Sequence, residues 1–537
     1  MKMFRKAGAI FFACMVSLMS LTGCAQSNVE HTGHSHEEHG HEEDEHGGSV
    51  ESSDQGETVY RFDSNGINAS AIQEIETFIK QQMEVGKLPG ISIAVVNGDK
   101  EIYSNGFGYS DLKSKEAVTT DTLFELGSVS KAFTGLAILK LEEEGKLKIN
   151  DPVSKYIPWL KLKYNGKEVD VTLEQFLHQT SGIPFETACE IPVSDSEKAL
   201  EYTVRVLINK ELINEPGKNF FYASLNYDVL GLVIQQVSGV SYEEYMRNNI
   251  LQLFGLNNTY MSREEAMDKG MSYGYKLGFT KVLRYDAPEY RGNTPAGYII
   301  SNAEDMGKWL GIQLGAASTT ELQKSIIDKS HVHNSTVPKA EDGAFYAAGW
   351  AFYPDGYGEF IHDGGNPNFS SYISFSPGEN LGIIVLANRN SVYTRAIGQG
   401  VMNILRSKDS AHSHFDNYLG LDKTVTVIFF VSSGILILVI CLLAIAVMQL
   451  IKKRRSYSGS IIKKLLILIP SLTVIIIIGY NLYNAPNILF GGLPWGFINV
   501  WGPMSILPAV YSIFGMLILL GIFIVLTTLF PKSKAKT

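Results

Sequence analysis

Apolar positions along this chain fall into four regimes. A short unbroken run, Ala7–Leu21, follows Lys2, Arg5 and Lys6. Residues 25–60 have no apolar spacing from which a core could form. Residues 68–406 alternate short apolar runs with turn signals, and beyond Val425 the chain is overwhelmingly apolar. Within the third regime, Ser70-Ala-Ile-Gln73 has the form of a capping box and predicts a helix ending near Gly86. Ile91–Val96, the Asn97-Gly98 turn and Glu101–Phe107 predict a β-hairpin. Thr122–Leu139 reads as a short apolar run, a break at Gly127, then an amphipathic helix with Ser128 at its mouth. A further helix is expected around Tyr227–Val237, and late strands at Ser370–Ser376 and Gly382–Ala387. Hairpins at both ends with helices between them predict an α+β domain: one antiparallel sheet carrying the termini, plus a helical insertion.

The last regime predicts three membrane spans. Val425–Met448, Leu465–Tyr483 and Ile506–Phe530 hold no charged side chain and are long enough to cross a bilayer. The 452–464 loop is strongly basic, as is the tail with Lys532, Lys534 and Lys536. The 484–505 loop has no Lys or Arg but carries Trp495 and Trp501. The positive-inside rule therefore puts the 452–464 loop and the C-terminus in the cytoplasm and the larger domain outside.

The opening segment agrees with that orientation. It has the charge and apolar run of a secretion signal, and Leu21-Thr-Gly-Cys24 resembles a bacterial lipobox with Cys24 as the lipidated residue. The expected organisation is a lipoprotein signal over 1–23, a His/Glu-rich tether over 24–66 and a folded domain over 67–406. A linker over 407–424, three spans over 425–530 and a basic cytoplasmic tail over 531–537 follow. The formal net charge of −9 concentrates its acid in residues 30–57, and no basic stripe suggests nucleic acid. The tether histidines His31, His34, His36, His39, His41 and His46 suit either weak metal binding or a solvated spacer. Of the four cysteines only Cys189 falls in the folded domain, so a disulfide is not expected there.

Candidate chemistry centres on Ser128. A hydroxyl at a helix start lies where unpaired backbone N–H groups stabilise developing negative charge. Lys131, three residues on, shares its helical face and can take the hydroxyl proton. It must be neutral to do so, and Phe124, Leu126, Phe133 and Leu136 supply the desolvation. The spacing alone is weak, because Ser110, Ser460 and Ser533 have a lysine at the same offset. The surrounding Phe124-Glu-Leu-Gly-Ser-Val-Ser-Lys-Ala-Phe-Thr-Gly135 is more specific. It resembles the nucleophile segment of class C β-lactamases and the wider family of penicillin-binding-protein-like serine hydrolases.

Two more segments fit that resemblance in order. Pro216–Gly231 contains Tyr222-Ala-Ser224 before a predicted helix, which looks like the family's Tyr-x-Asn motif with Ser224 in place of the Asn. His362-Asp-Gly-Gly365 looks like its His-x-Gly strand motif. The resemblance implies that Ser128 attacks an acyl carbon, Lys131 with Tyr222 moves the proton, and the Ser128 and Gly365 amides form the oxyanion hole. It also implies substrate-binding roles for Ser224, His362 and Gly364; Asn366 and Glu125 are placed at the presumed cleft by their positions and are expected to act there as substrate-specificity residues. His178 is expected to pin the His178-Gln-Thr-Ser-Gly182 loop, and Ser301 to cap a helix. Such a site needs no metal and no cofactor.

The expected function is an exported, membrane-anchored serine hydrolase acting through an acyl-enzyme. A domain of this kind followed by three spans resembles the periplasmic prodrug peptidases of the colibactin-maturation group, which share the serine in the second motif. That points to peptides containing D-amino acids, either prodrug-type or from the cell wall. Within the enzyme class the alternatives are a D,D-carboxypeptidase, a β-lactamase and an esterase. Outside it stands a non-catalytic penicillin-binding sensor.

Overall fold

The computed structural model describes residues 59–63, 66–316, 320–410 and 416–533. The expected signal, Cys24, the tether histidines and the tail from residue 534 lie outside them.

Helix α1 (Ala69–Val85) precedes a long hairpin of β1 (Gly90–Asn97) and β2 (Lys100–Asp111), with the short strand β3 (Glu116–Ala117) at the edge. The cap of α1 is not Ser70 but Asn68, whose extended backbone lets its side-chain oxygen accept from the Ala71 N–H at 2.9 Å. Ser70 lies inside the first turn and donates to that same oxygen at 2.9 Å. A one-turn 3₁₀ helix, Gly127–Val129, leads into α2 (Ser130–Glu143). The helical insertion follows, with α3 (Leu225–Ser238) at its centre. Next come the small hairpin β4 (Tyr275–Gly278) and β5 (Lys281–Arg284), then α4 (Ala303–Gln313). Asn302 caps α4 by accepting from the Asp305 N–H at 2.9 Å, whereas Ser301, expected in that role, is a strand residue paired with Phe124.

Strands β6 (Phe345–Tyr346), β7 (Ala351–Tyr353), β8 (Glu359–Asn366), β9 (Phe369–Ser376) and β10 (Leu381–Ala387) complete the sheet. Its order is β6-β7-β8-β9-β10-β1-β2-β3, antiparallel at every junction. The final helix of the domain, α5 (Tyr393–Leu405), packs beside α1. The first and last parts of the domain thus meet in the sheet, where β10 pairs with β1.

Both faces of the sheet are covered. In β1, Ile91, Ile93 and Val95 join the core beneath α1 and α5. Ala94 and Val96 join the larger core on the opposite side, with Phe133, Leu136 and Trp309. The same alternation in β10 sends Ile383 and Val385 one way and Ile384 and Leu386 the other. That double burial explains why β10 is almost continuously apolar in sequence. On the larger side, the Phe133 and Trp309 rings stack at 4.2 Å and lock α2 against α4.

Three helices long and apolar enough to cross a membrane follow: α6 (Asn417–Ile451), α7 (Ile461–Tyr483) and α8 (Ile506–Leu529). Helix α6 begins inside the stretch expected to be a linker, because Asp416 caps it by accepting from the Tyr418 and Leu419 N–H groups at 2.8 and 3.2 Å.

The domain that precedes them is fastened to these helices by buried polar contacts. Arg389, at the end of β10, faces Asp416 at 3.5 Å, and both side chains are buried. Asp422 of α6 accepts from the Thr280 N–H at the tip of the β4–β5 hairpin at 2.7 Å, and from the Ser505 hydroxyl at 2.6 Å. The Met504 N–H reaches Leu277 O at 2.8 Å. Lys276 donates to the carbonyls of Asn499 and Val500, at 3.0 and 2.7 Å, at the end of a short helix Trp495–Trp501. Carbonyls at a helix C-terminus carry partial negative charge, so an ammonium is well placed there.

Candidate active site

Ser128 sits in the 3₁₀ turn between the Phe124-Glu125 strand and α2, and it is partly exposed while its neighbours are buried. Lys131 is one turn further, fully buried, with its Nζ 3.0 Å from Ser128 Oγ. The same ammonium donates to Ala296 O at 2.7 Å. It also lies 4.9 Å from the centre of the Tyr222 ring. Burial lowers its pKa to about 7, against a smaller upward pull from Asp228. A lysine in that state is half-deprotonated near neutral pH and able to accept a proton.

Tyr222 comes from the loop just ahead of α3, and its hydroxyl hydrogen-bonds Ser128. Burial pushes this phenol above its usual range, partly offset by that hydrogen bond. Ser224 stands at the N-cap position of α3, partly exposed and without a capping bond of its own. Two residues on, Asn226 is fixed instead: it accepts from Ser181 Oγ at 2.5 Å and donates to Gln179, tying the 178–182 loop to α3. His178 holds that loop from its other end, with Nδ1 2.9 Å from Tyr346 O.

Strand β8 forms the opposite wall. Gly127 has φ +54°, and a Cβ built on it would lie 2.4 Å from Gly365 N and 2.7 Å from Gly364 C. A Cβ on Gly364 would meet Leu126 O at 2.0 Å. The turn that carries Ser128 and the Gly364–Gly365 peptide therefore approach backbone to backbone, leaving no room for a side chain at Gly127 or Gly364. His362 is buried, with Nε2 3.1 Å from the Tyr346 hydroxyl and Nδ1 2.7 Å from Asp363 O.

Glu125 and Asn366 do not face the cleft as expected. They are 1% and 2% exposed and bonded to each other, Asn366 Nδ2 reaching Glu125 Oε2 at 2.6 Å and Gly297 O at 2.8 Å. Arg263 closes the group by donating to Glu125 Oε1 at 2.6 and 3.0 Å and to Ala287 O at 2.7 Å. A buried carboxylate needs such partners, so this cluster braces the β8–β9 turn from behind. Arg263 lies 138 positions from Glu125, and no local sequence signal links the two.

The site therefore brings together Ser128, Lys131, Tyr222, Gly364 and Gly365, with His362 in the neighbouring wall. Among the described residues no group of three or more His, Cys, Asp or Glu side chains is arranged to hold a metal ion. A sequence model of the family described as Beta-lactamase matches residues 75–399. Protein flp of Staphylococcus aureus (strain MRSA252) is 34% identical over 471 residues, covering 85% of this chain and 91% of that protein. A protein described as Beta-lactamase from Escherichia coli (strain K12) is 28% identical over 354 residues, covering 60% of this chain and 89% of its own length. Among solved structures, the octameric penicillin-binding protein homologue from Pyrococcus abyssi superposes with a TM-score of 0.58 at 30% identity. That match covers 66% of this chain and 81% of the other.

Proposed function

The chain belongs to the beta-lactamase family of hydrolases, and from that footing we propose a membrane-anchored serine hydrolase whose cleft faces the outside of the cell. Ser128 attacks an acyl carbon while Lys131 takes the hydroxyl proton. The backbone N–H groups of Ser128 and Gly365 hold the oxyanion as the carbonyl becomes tetrahedral. Tyr222 passes the proton on to the departing group, and water then releases the acyl portion from Ser128. The observation that carries this reading is the 3.0 Å approach of a fully buried lysine to a partly exposed serine hydroxyl.

For the substrate, the reading is an acyl bond in a peptide containing D-amino acids, of prodrug or cell-wall type. Ser224 bears on it: at this position the hydroxyl keeps a donor and an acceptor but lacks the longer amide that would reach the acyl side chain of a β-lactam-type substrate. His362 borders the same cleft and suits a hydrogen-bonding role toward the acyl donor.

The test pairs full-length protein with a fluorescent penicillin and with N-acyl-D-amino-acid peptides. Cleavage of the peptides, with an acyl adduct found by mass on the Ser128 peptide, supports the assignment. Rapid penicillin hydrolysis without peptide cleavage would make the protein a β-lactamase instead. Turnover that survives Ser128→Ala would remove the nucleophile.

A further inference from the structure

The β4–β5 hairpin carries an aromatic ring where its turn would favour a small residue. Gly278 pairs with Lys281 across a two-residue tip, Phe279-Thr280, and both tip residues have positive φ, +55° and +63°. That turn shape favours Asn and Gly, so a bulky aromatic is strained there. The Thr280 N–H bond to Asp422 and the 2.6 Å bond from Lys87 Nζ to Thr280 O hold the tip in place. The Phe279 ring reaches further: half-buried, it lies 5.0 Å from Phe429 and 6.5 Å from Phe430 of α6, centre to centre.

The helical rise sets the height of that contact. Lys423 is the last charge before the uncharged 425–448 stretch, and Phe429 lies about 9 Å further along the axis. A hydrocarbon layer about 30 Å thick, centred on that stretch, begins near Val427. The Phe279 ring thus meets α6 where lipid chains start, on a part of the helix left open: Val427, Phe430 and Val431 are 58%, 62% and 51% exposed. Two cations stand at the upper edge of this zone. Lys281 adjoins the tip, and Lys423 follows the Asp422 that holds it. Both are exposed, and neither ammonium has a hydrogen bond or ion pair among the described residues.

We propose that the β4–β5 hairpin is a lipid-binding element: Phe279 enters the near edge of the acyl-chain layer, while Lys281 and Lys423 take the phosphate of an anionic phospholipid headgroup. The proposal rests on α6 crossing the membrane and uses none of the residues assigned to acyl transfer. One partner accounts for both observations. Lipid chains accept the ring that the turn itself disfavours, and the headgroup phosphate supplies the negative charge that the two lysines lack within the protein. That attraction acts only within about a Debye length of the surface, which the height of Lys281 and Lys423 satisfies.

The test is the full-length chain carrying Phe279→p-benzoylphenylalanine, reconstituted in phosphatidylcholine vesicles with a minority of phosphatidylglycerol and irradiated. Mass spectrometry of the hairpin peptide should show a phospholipid adduct, enriched roughly fivefold in phosphatidylglycerol over the vesicle composition. Adding Lys281→Gln and Lys423→Gln should return the adduct to the vesicle ratio. The same photoreactive group at exposed Lys281 reads insertion should the Phe279 variant fail to fold. At Leu438, in the middle of α6 and 55% exposed, it checks the premise and should take lipid. Lipid on Leu438 with none on the hairpin would overturn the insertion of the tip. Hairpin adducts already at the vesicle ratio with both lysines present would overturn the phosphate contact. No lipid on Leu438 would instead show that α6 does not cross the bilayer.

Discussion

Gly127 and Gly365 touch through their backbones: a single carbon added to Gly127 would come within 2.4 Å of the Gly365 nitrogen. The contact joins the turn that carries Ser128, the proposed nucleophile, to the strand that would supply the second oxyanion donor. Gly127→Ala should therefore push the turn and β8 apart, and it also places a Cβ at φ +54°. We expect acylation to fall at least tenfold and stability to drop by about 1–3 kcal/mol. Stopped-flow acylation and thermal melting measure the two effects separately.

As the proposed base, the depressed Lys131 sets the sign of the expected pH dependence. Below about 7 Lys131 is protonated and cannot act as a base; above it the amine is neutral. The value of kcat/KM should rise tenfold per pH unit on the acid side and level off above about 7. Tyr222 is shifted upward by burial, so its ionisation should not produce a falling limb in the ordinary alkaline range. Lys131→Arg keeps a cation but cannot deprotonate, and should abolish turnover at every pH.

Tyr222→Phe separates packing from proton relay. The ring still lies over Lys131, while the hydroxyl bonded to Ser128 is gone. Acylation and deacylation should fall by roughly 10²–10⁴, the usual size of a lost general acid–base group. An unchanged melting temperature would show that the loss is chemical. A variant with parental rates would exclude the relay.

Asp422 tests the fastening between the domain and the spans. Its carboxylate takes the Thr280 N–H and the Ser505 hydroxyl in a buried setting. Asp422→Ala leaves both donors unpaired, and each lost bond to a charged group contributes about 1.5–3 kcal/mol. Amide exchange in the β4–β5 hairpin should rise sharply in detergent-solubilised protein, while exchange in β1 and β10 should not.

The parts of this molecule that follow a local period could be read from sequence. The hairpin of β1 and β2, strands β9 and β10 and the three apolar helices all appear where alternation or long apolar runs place them. The cap positions moved by one or two residues, because Ser70 already lies inside the first helical turn and Ser301 is held in a strand, which leaves the extended Asn68 and Asn302 to take the free N–H groups. Ser128, Lys131 and Tyr222 stand together as their segments suggested. Glu125 was read from its position near Ser128 as facing the cleft; that it is buried instead depends on Arg263 and Asn366, far away in sequence. The β4–β5 hairpin gave no hint of its contact, since residues near 422 and 500 decide where it sits.

The joint formed by Lys276, Thr280 and Asp422 has a mechanical corollary. An enzyme on a loose leash can sweep a volume above its membrane, whereas one bolted at several points keeps its mouth at a single height and tilt. For the hydrolase proposed here, encounter with substrate would then be a matter of lateral drift: molecules travelling within or along the lipid surface would arrive already at working height, and freely dissolved ones would have no such advantage.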